Sequence, residues 1–199
     1  MRRLTYLLFA LALVHGLLYV SLIPPWQAPD EIAHFEYSRL LADHRRLLSV
    51  ADASPALEQE IINSLYDFRA WTFVGVKPLD PQPTRLEALP FFGTSRTLAR
   101  FSLAYVPYAV AVWPWRAAPV VTQLYLMRLV SVMLGAWVVV LGFRIARLVA
   151  PRHLSVAVGT ALFITFLPQH AFILAAVNDG NLAEVMAALA LYQLVKMAR

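Results

Sequence analysis

Directly behind Arg2 and Arg3 the chain turns apolar and stays so to Ile23, about the 20 residues that an α-helix needs to cross a hydrocarbon core of roughly 30 Å. Inside lipid no water is available to the backbone, so such a run satisfies its N–H and C=O groups as a helix. A cleaved signal peptide is the rival reading. Its apolar core is usually about 7–15 residues and ends at small residues, whereas this run ends in Ile23-Pro24-Pro25-Trp26, the pattern of an uncleaved anchor. Hydrophobic residues make up 60% of the 199, above the roughly 45–50% of ordinary soluble domains, so more than one segment faces lipid.

Further apolar runs cover about 119–149, 154–177 and 182–198. Arg144, Arg147, Arg152 and His153 close one of them, and Lys196 and Arg199 close the last. Cytoplasmic ends of spans carry Lys and Arg, so the pattern predicts an all-α polytopic membrane protein. It has four spans (about 4–24, 119–149, 154–177, 182–198), both termini in the cytoplasm, and one long outer loop at 25–118. Residues 1–199 form a single membrane module. The net charge of +5 is concentrated at the ends of spans, so it is a topology signal and nucleic acid is not an expected partner. With no cysteine, disulfides, thiolate metal sites and a cysteine nucleophile are excluded.

Within the loop, Ser54-Pro55 reads as an N-cap followed by Pro at the first helical position. Leu57, Ile61, Ile62, Leu65 and Phe68 then form a stripe opposite Glu58, Glu60, Asn63 and Asp67, the pattern of an amphipathic helix lying on the membrane surface. Four prolines between Val76 and Pro90 predict irregular, extended backbone. The aromatic stretch 101–115 is short for a span and interrupted by Pro107 and Pro114. It reads as an interfacial or re-entrant helix with its Tyr and Trp residues at headgroup depth.

The segment richest in chemistry is Pro24-Pro25-Trp26-Gln27-Ala28-Pro29-Asp30-Glu31-Ile32-Ala33-His34-Phe35. A helix starting near Pro29 puts Asp30, Glu31 and His34 on one face, at spacings of four and three. First-turn carboxylates are common because the helix dipole favours them. The functional alternative makes one carboxylate a general base toward a hydroxyl, its pKa tuned by its neighbour or by a cation, with His34 bonding a phosphate. A soft metal site would need more nitrogen or sulfur ligands than are present. No cofactor is implied beyond a divalent cation that carboxylates would accommodate. Asn178-Asp179-Gly180-Asn181 is turn chemistry, which the topology puts on the same outer side as Asp30. Arg128 lies within an apolar run, where a charge costs about 2.5–3.5 kcal/mol and calls for a partner. An anion near headgroup depth such as a lipid phosphate fits, and Glu87 or Glu184 are the candidate structural partners. His170 and Glu184 are further polar groups expected within the membrane.

The combination of a first span, Pro-Pro-x-x-x-Pro-Asp-Glu-x-x-His-Phe, a long outer loop, Arg128-Leu129-x-Ser131 and an Asn178-Asp179 outer turn resembles the glycosyltransferase C superfamily. It is most similar there to a bacterial group of membrane proteins related to polyprenyl-phosphate-dependent mannosyl- and aminoarabinosyltransferases. The resemblance runs over the whole chain and is most specific from Pro24 to Phe35. It implies a bacterial plasma-membrane enzyme that transfers a sugar from a polyprenyl-phosphate donor to an acceptor on the outer face, with inversion. Asp30 then matches the catalytic acidic position and Glu31 its adjacent acid; Arg128 would hold donor phosphate, and Asn178 and Asp179 match the second polar motif. The chain looks like the N-terminal part of such an enzyme. A non-catalytic membrane subunit, binding lipid-linked sugar or an envelope-assembly partner subunit, is the alternative.

Overall fold

The computed structural model describes residues 1–89 and 102–199, with the backbone alone at 73 and 74. The regular elements among the described residues are all helices, as the apolar runs require. They form α1 (Arg2–Leu22), α2 (Glu31–His44), α3 (Pro55–Asp67), α4 (Trp71–Val74), α5 (Val106–Val112), α6 (Val120–Val149), α7 (Leu154–Phe166), α8 (Pro168–Leu174) and α9 (Gly180–Met197), with short 3-10 turns between some of them. The chain divides into two compact units, one of residues 1–22 and 131–199 and the other of residues 23–130.

In the first unit, Leu8 and Ala12 of α1 meet Ala136, Val139 and Phe143 of α6 and Ala157 and Ala161 of α7 in one buried cluster. Small residues allow the close approach, because helices in lipid gain their packing from van der Waals contact rather than from water exclusion. A Cβ on Gly16 would come within 2.7 Å of Val132, and one on Gly135 within 2.9 Å of Leu174.

Two helices, α1 and α6, are long and apolar enough to cross a membrane; a third span exists if α7 and α8, bent by 64°, count as one. Two of the four runs expected to span take less simple forms. The 154–177 run is broken, because Pro168 opens α8 at its first position and pushes Leu167 into extended backbone (φ −71°, ψ 109°). The 182–198 run is a helix, α9, but Asn181, Glu184, Gln193 and Lys196 leave it outside the set apolar enough to span.

In the second unit, α2 packs against α5 and the 3-10 turn Leu103–Tyr105. Phe35, Tyr37, Leu40, Ile61, Ile62, Leu65, Leu86, Tyr108, Leu124 and Met127 are its fully buried large apolar and aromatic side chains. α3 starts as its sequence predicts, with Pro55 in the first turn and the Ser54 hydroxyl accepting from the Leu57 N–H at 3.3 Å. Most of its apolar stripe faces into the protein rather than outward. Ile61, Ile62 and Leu65 are completely buried within the unit, although Phe68 at the cap is exposed. Glu58, expected on the polar face, is buried too: its carboxylate accepts from Arg85 Nε and Nη2 and from the Leu86 N–H at 2.8, 3.0 and 2.9 Å. That carboxylate ties the proline-rich segment, irregular as predicted up to Leu89, onto α3. Pro90 and Phe101, the ends of two predicted segments, lie outside the described residues.

Candidate functional site

The site is built around the turn that joins α1 to α2. After Ile23 the three prolines leave few N–H donors and a stiff path, and two non-glycine residues take left-handed backbone, Trp26 (φ 68°) and Asp30 (φ 54°). Side chains outside the turn hold this uncommon geometry. Trp26 is buried, donates its indole N–H to Ser64 Oγ at 2.8 Å and packs edge-on against Phe35 at 5.2 Å. Arg128, on α6, donates from Nη1 to the Ile23 carbonyl at 2.6 Å and from Nη2 to the Pro24 carbonyl at 3.0 Å.

The same guanidinium grips Glu31, the first residue of α2, with Nε to Oε1 at 2.8 Å and Nη2 to Oε2 at 2.6 Å. Both side chains are 0% exposed. A buried ion pair offsets its desolvation only with good geometry and satisfied remaining groups. Here the fork is bidentate, and four of the five guanidinium N–H groups are committed. Arg128 also sits 5.5 Å from the Tyr125 ring centroid. Its partner is therefore Glu31, rather than either of the candidate structural partners Glu87 and Glu184, and its contacts are to protein groups rather than to an open surface that a phosphate would reach.

Asp30 differs from its neighbours. It is the N-cap of α2, is exposed, makes no side-chain cap bond, and its carboxylate has no hydrogen-bond or ion-pair partner among the described residues. Asp30, Glu31 and His34, expected on one face, are not presented together: Asp30 is exposed while Glu31 and His34 are buried. His34 is buried, with Nδ1 2.9 Å from the Tyr105 hydroxyl, and Tyr37 stacks on the same Tyr105 ring at 4.5 Å. One free carboxylate is thus presented on a turn clamped by Arg128, Glu31 and Trp26. The Tyr105 contact and the Arg128–Glu31 pair, 71 and 97 residues apart in sequence, escape any reading by local spacing.

Asn178 and Asp179 belong to the other unit. Asn178 Oδ1 accepts from the Gly180 N–H at 2.7 Å, an Asx-type turn, and Asp179 is the exposed N-cap of α9 without a side-chain cap bond. Two residues given no role from sequence, Ser131 and Asn181, are buried here and both donate to the Ala176 carbonyl, at 2.6 and 3.0 Å. His170 of α8 and Glu184 of α9 pair with each other at 2.7 Å. Polar groups in lipid-facing bundles generally pair inward in this way. Among the described residues no three His, Cys, Asp or Glu side chains gather as a metal site.

No curated protein and no solved structure matches the chain. A family model described as a predicted membrane protein, DUF2142, matches residues 13–199. With two spanning helices, a polar turn clamped behind the first of them and a family match over nearly its whole length, the chain belongs to the DUF2142 family of membrane proteins.

Proposed function

We propose that the chain is a membrane glycosyltransferase, or the N-terminal catalytic module of one, that moves a sugar from a polyprenyl-phosphate donor to an acceptor hydroxyl, with Asp30 as general base. The observation that carries the reading is the isolation of the Asp30 carboxylate: exposed, unpartnered among the described residues and fixed in left-handed backbone next to a membrane helix. A base must reach a proton that arrives from water, and a residue held in left-handed backbone is one mark of a functional site. In the reaction Asp30 takes the acceptor hydroxyl proton as that oxygen bonds to the anomeric carbon. The bond from that carbon to the phosphate oxygen breaks, and polyprenyl phosphate leaves with the electron pair, inverting the centre. Glu31 and Arg128 hold the turn. In this reading α1 enters from the cytoplasm behind Arg2 and Arg3, and Asp30 faces the outer side of a bacterial plasma membrane.

Transfer from a polyprenyl-phosphate sugar, assayed in membranes containing the protein, is expected to fall about 10²–10⁴-fold in Asp30→Asn, the ordinary contribution of a general base. Undiminished transfer by that variant overturns the assignment. A second reading, a non-catalytic subunit that binds lipid-linked sugar or an envelope-assembly partner, is favoured by the commitment of Arg128 to Glu31, since Arg128 is then not free to hold donor phosphate. It predicts that Asp30→Asn is silent and that a partner co-purifies.

A further inference from the structure

The C-terminal end of α2 and the outer side of α5 enclose a cleft of about 460 Å³, within the roughly 300–1,000 Å³ typical of ligand sites. Its lining is mainly apolar, with Leu41 of α2, Val106 and Val110 of α5 and Trp113, joined by Arg45 and Arg46. α5 is apolar on both sides. Tyr108 and Val112 fill the core, while Leu103, Val106, Val110 and Trp113, spaced by three and four residues, form one stripe that is 40–67% exposed. An unbroken stripe of this kind suits an apolar medium better than water.

The charges at the rim are not apolar. α2 ends with Arg45 in left-handed backbone (φ 53°), and its guanidinium lies 4.7 Å from the Trp113 ring centroid; Arg116 approaches the same ring at 5.8 Å. The neighbouring ions are accounted for. Arg46 is bound to Asp52 through two hydrogen bonds, and Asp43 pairs with Arg39 and stands 3.9 Å from Arg116. Arg45 alone in this group has no carboxylate partner among the described residues.

A chain-sized apolar groove, a tryptophan at its mouth and an uncommitted arginine on that tryptophan together match a molecule with an acyl chain and a phosphate anion. We infer that this cleft is a site for an acidic glycerophospholipid of the surrounding bilayer, the chain lying along Leu41, Val106 and Val110 and the phosphate on Arg45. The site is independent of the transferase reading and shares no residue with the Asp30 turn.

The test uses the full chain in vesicles of equimolar phosphatidylglycerol and phosphatidylcholine, with bromine on the acyl chains of one lipid or of the other. Quenching by the bromine is read as the part lost in Trp113→Phe. Phosphatidylglycerol is expected to quench Trp113 more strongly, and Arg45→Gln to lower that preference about fivefold, the effect of one Lys or Arg at an anionic surface. Arg45→Lys is expected to keep it. Equal quenching by the two lipids, or a preference that survives Arg45→Gln, overturns the site. So does the absence of Trp113-dependent quenching. Loss of the preference on adding inorganic phosphate, against chloride at equal ionic strength, would show a free-phosphate site instead and likewise overturns it.

Discussion

Both carboxylate oxygens of Glu31 accept from the one guanidinium of Arg128, at 2.8 and 2.6 Å, across 97 residues of sequence. Because both side chains are fully buried, removing one charge strands the other. Arg128→Met is expected to destabilise the protein by about 3–5 kcal/mol. The double variant Glu31→Leu/Arg128→Met should recover much of that loss, since an apolar pair of similar volume is often neutral. Thermal unfolding in detergent measures both, and a cost below about 1 kcal/mol for the single variant would mean that the pair does not hold the turn.

Backbone strain at Asp30 separates stability from chemistry. With φ at 54°, Asp30→Gly relieves the steric cost of the left-handed region, and Asp30→Val raises it by about 1–2 kcal/mol. The expected stability order is Gly at or above Asn, and Asn above Val. Sugar transfer should be lost in all three. An Asp30→Val protein as stable as the parent would argue that the turn relaxes freely.

Acid should loosen the segment after α2 locally. Arg46, through its hydrogen bonds, and Ser49, through its N–H and hydroxyl, hold the Asp52 carboxyl well below its ordinary value of 3.8. A carboxyl depressed in the folded state contributes its stabilisation fully above the unfolded value and loses it as pH falls toward the folded one. Amide protection over residues 46–53, corrected for intrinsic exchange rates, is expected to be flat above about pH 4 and to decline below it. Asp52→Asn should abolish that decline.

Two glycines test the packing of the first unit. Gly16→Val drives a Cβ to 2.7 Å from the stiff Val132 side chain and should cost about 1–3 kcal/mol by overpacking. Gly159, inside α7, has nothing within 4 Å of its missing Cβ. Gly159→Ala should stabilise by about 0.5–1 kcal/mol, the helical penalty of glycine. Unfolding of the two variants side by side shows whether close approach of α1 and α6 is needed.

What sequence determined about this protein is what acts over a few residues. The apolar runs of α1 and α6 dictate helices, because lipid offers the backbone no other partner. Ser54 and Pro55 start α3 because an N-cap and a first-turn proline satisfy or remove orphan N–H groups on the spot. Pro168 was equally local and marks the break between α7 and α8, although the surrounding run read as one continuous span. Tertiary structure alone decided the burial of Glu58, the engagement of His34 with Tyr105 and the choice of Glu31 as the partner of Arg128. Each depends on which distant segments meet, and neither helical period nor capping chemistry carries that information. The acidic pair at Asp30 and Glu31 is two adjacent carboxylates in sequence. Folding turns one inward as a clamp and leaves the other exposed, because Glu31 meets a buried cation brought from 97 residues away while Asp30 caps the helix at the surface.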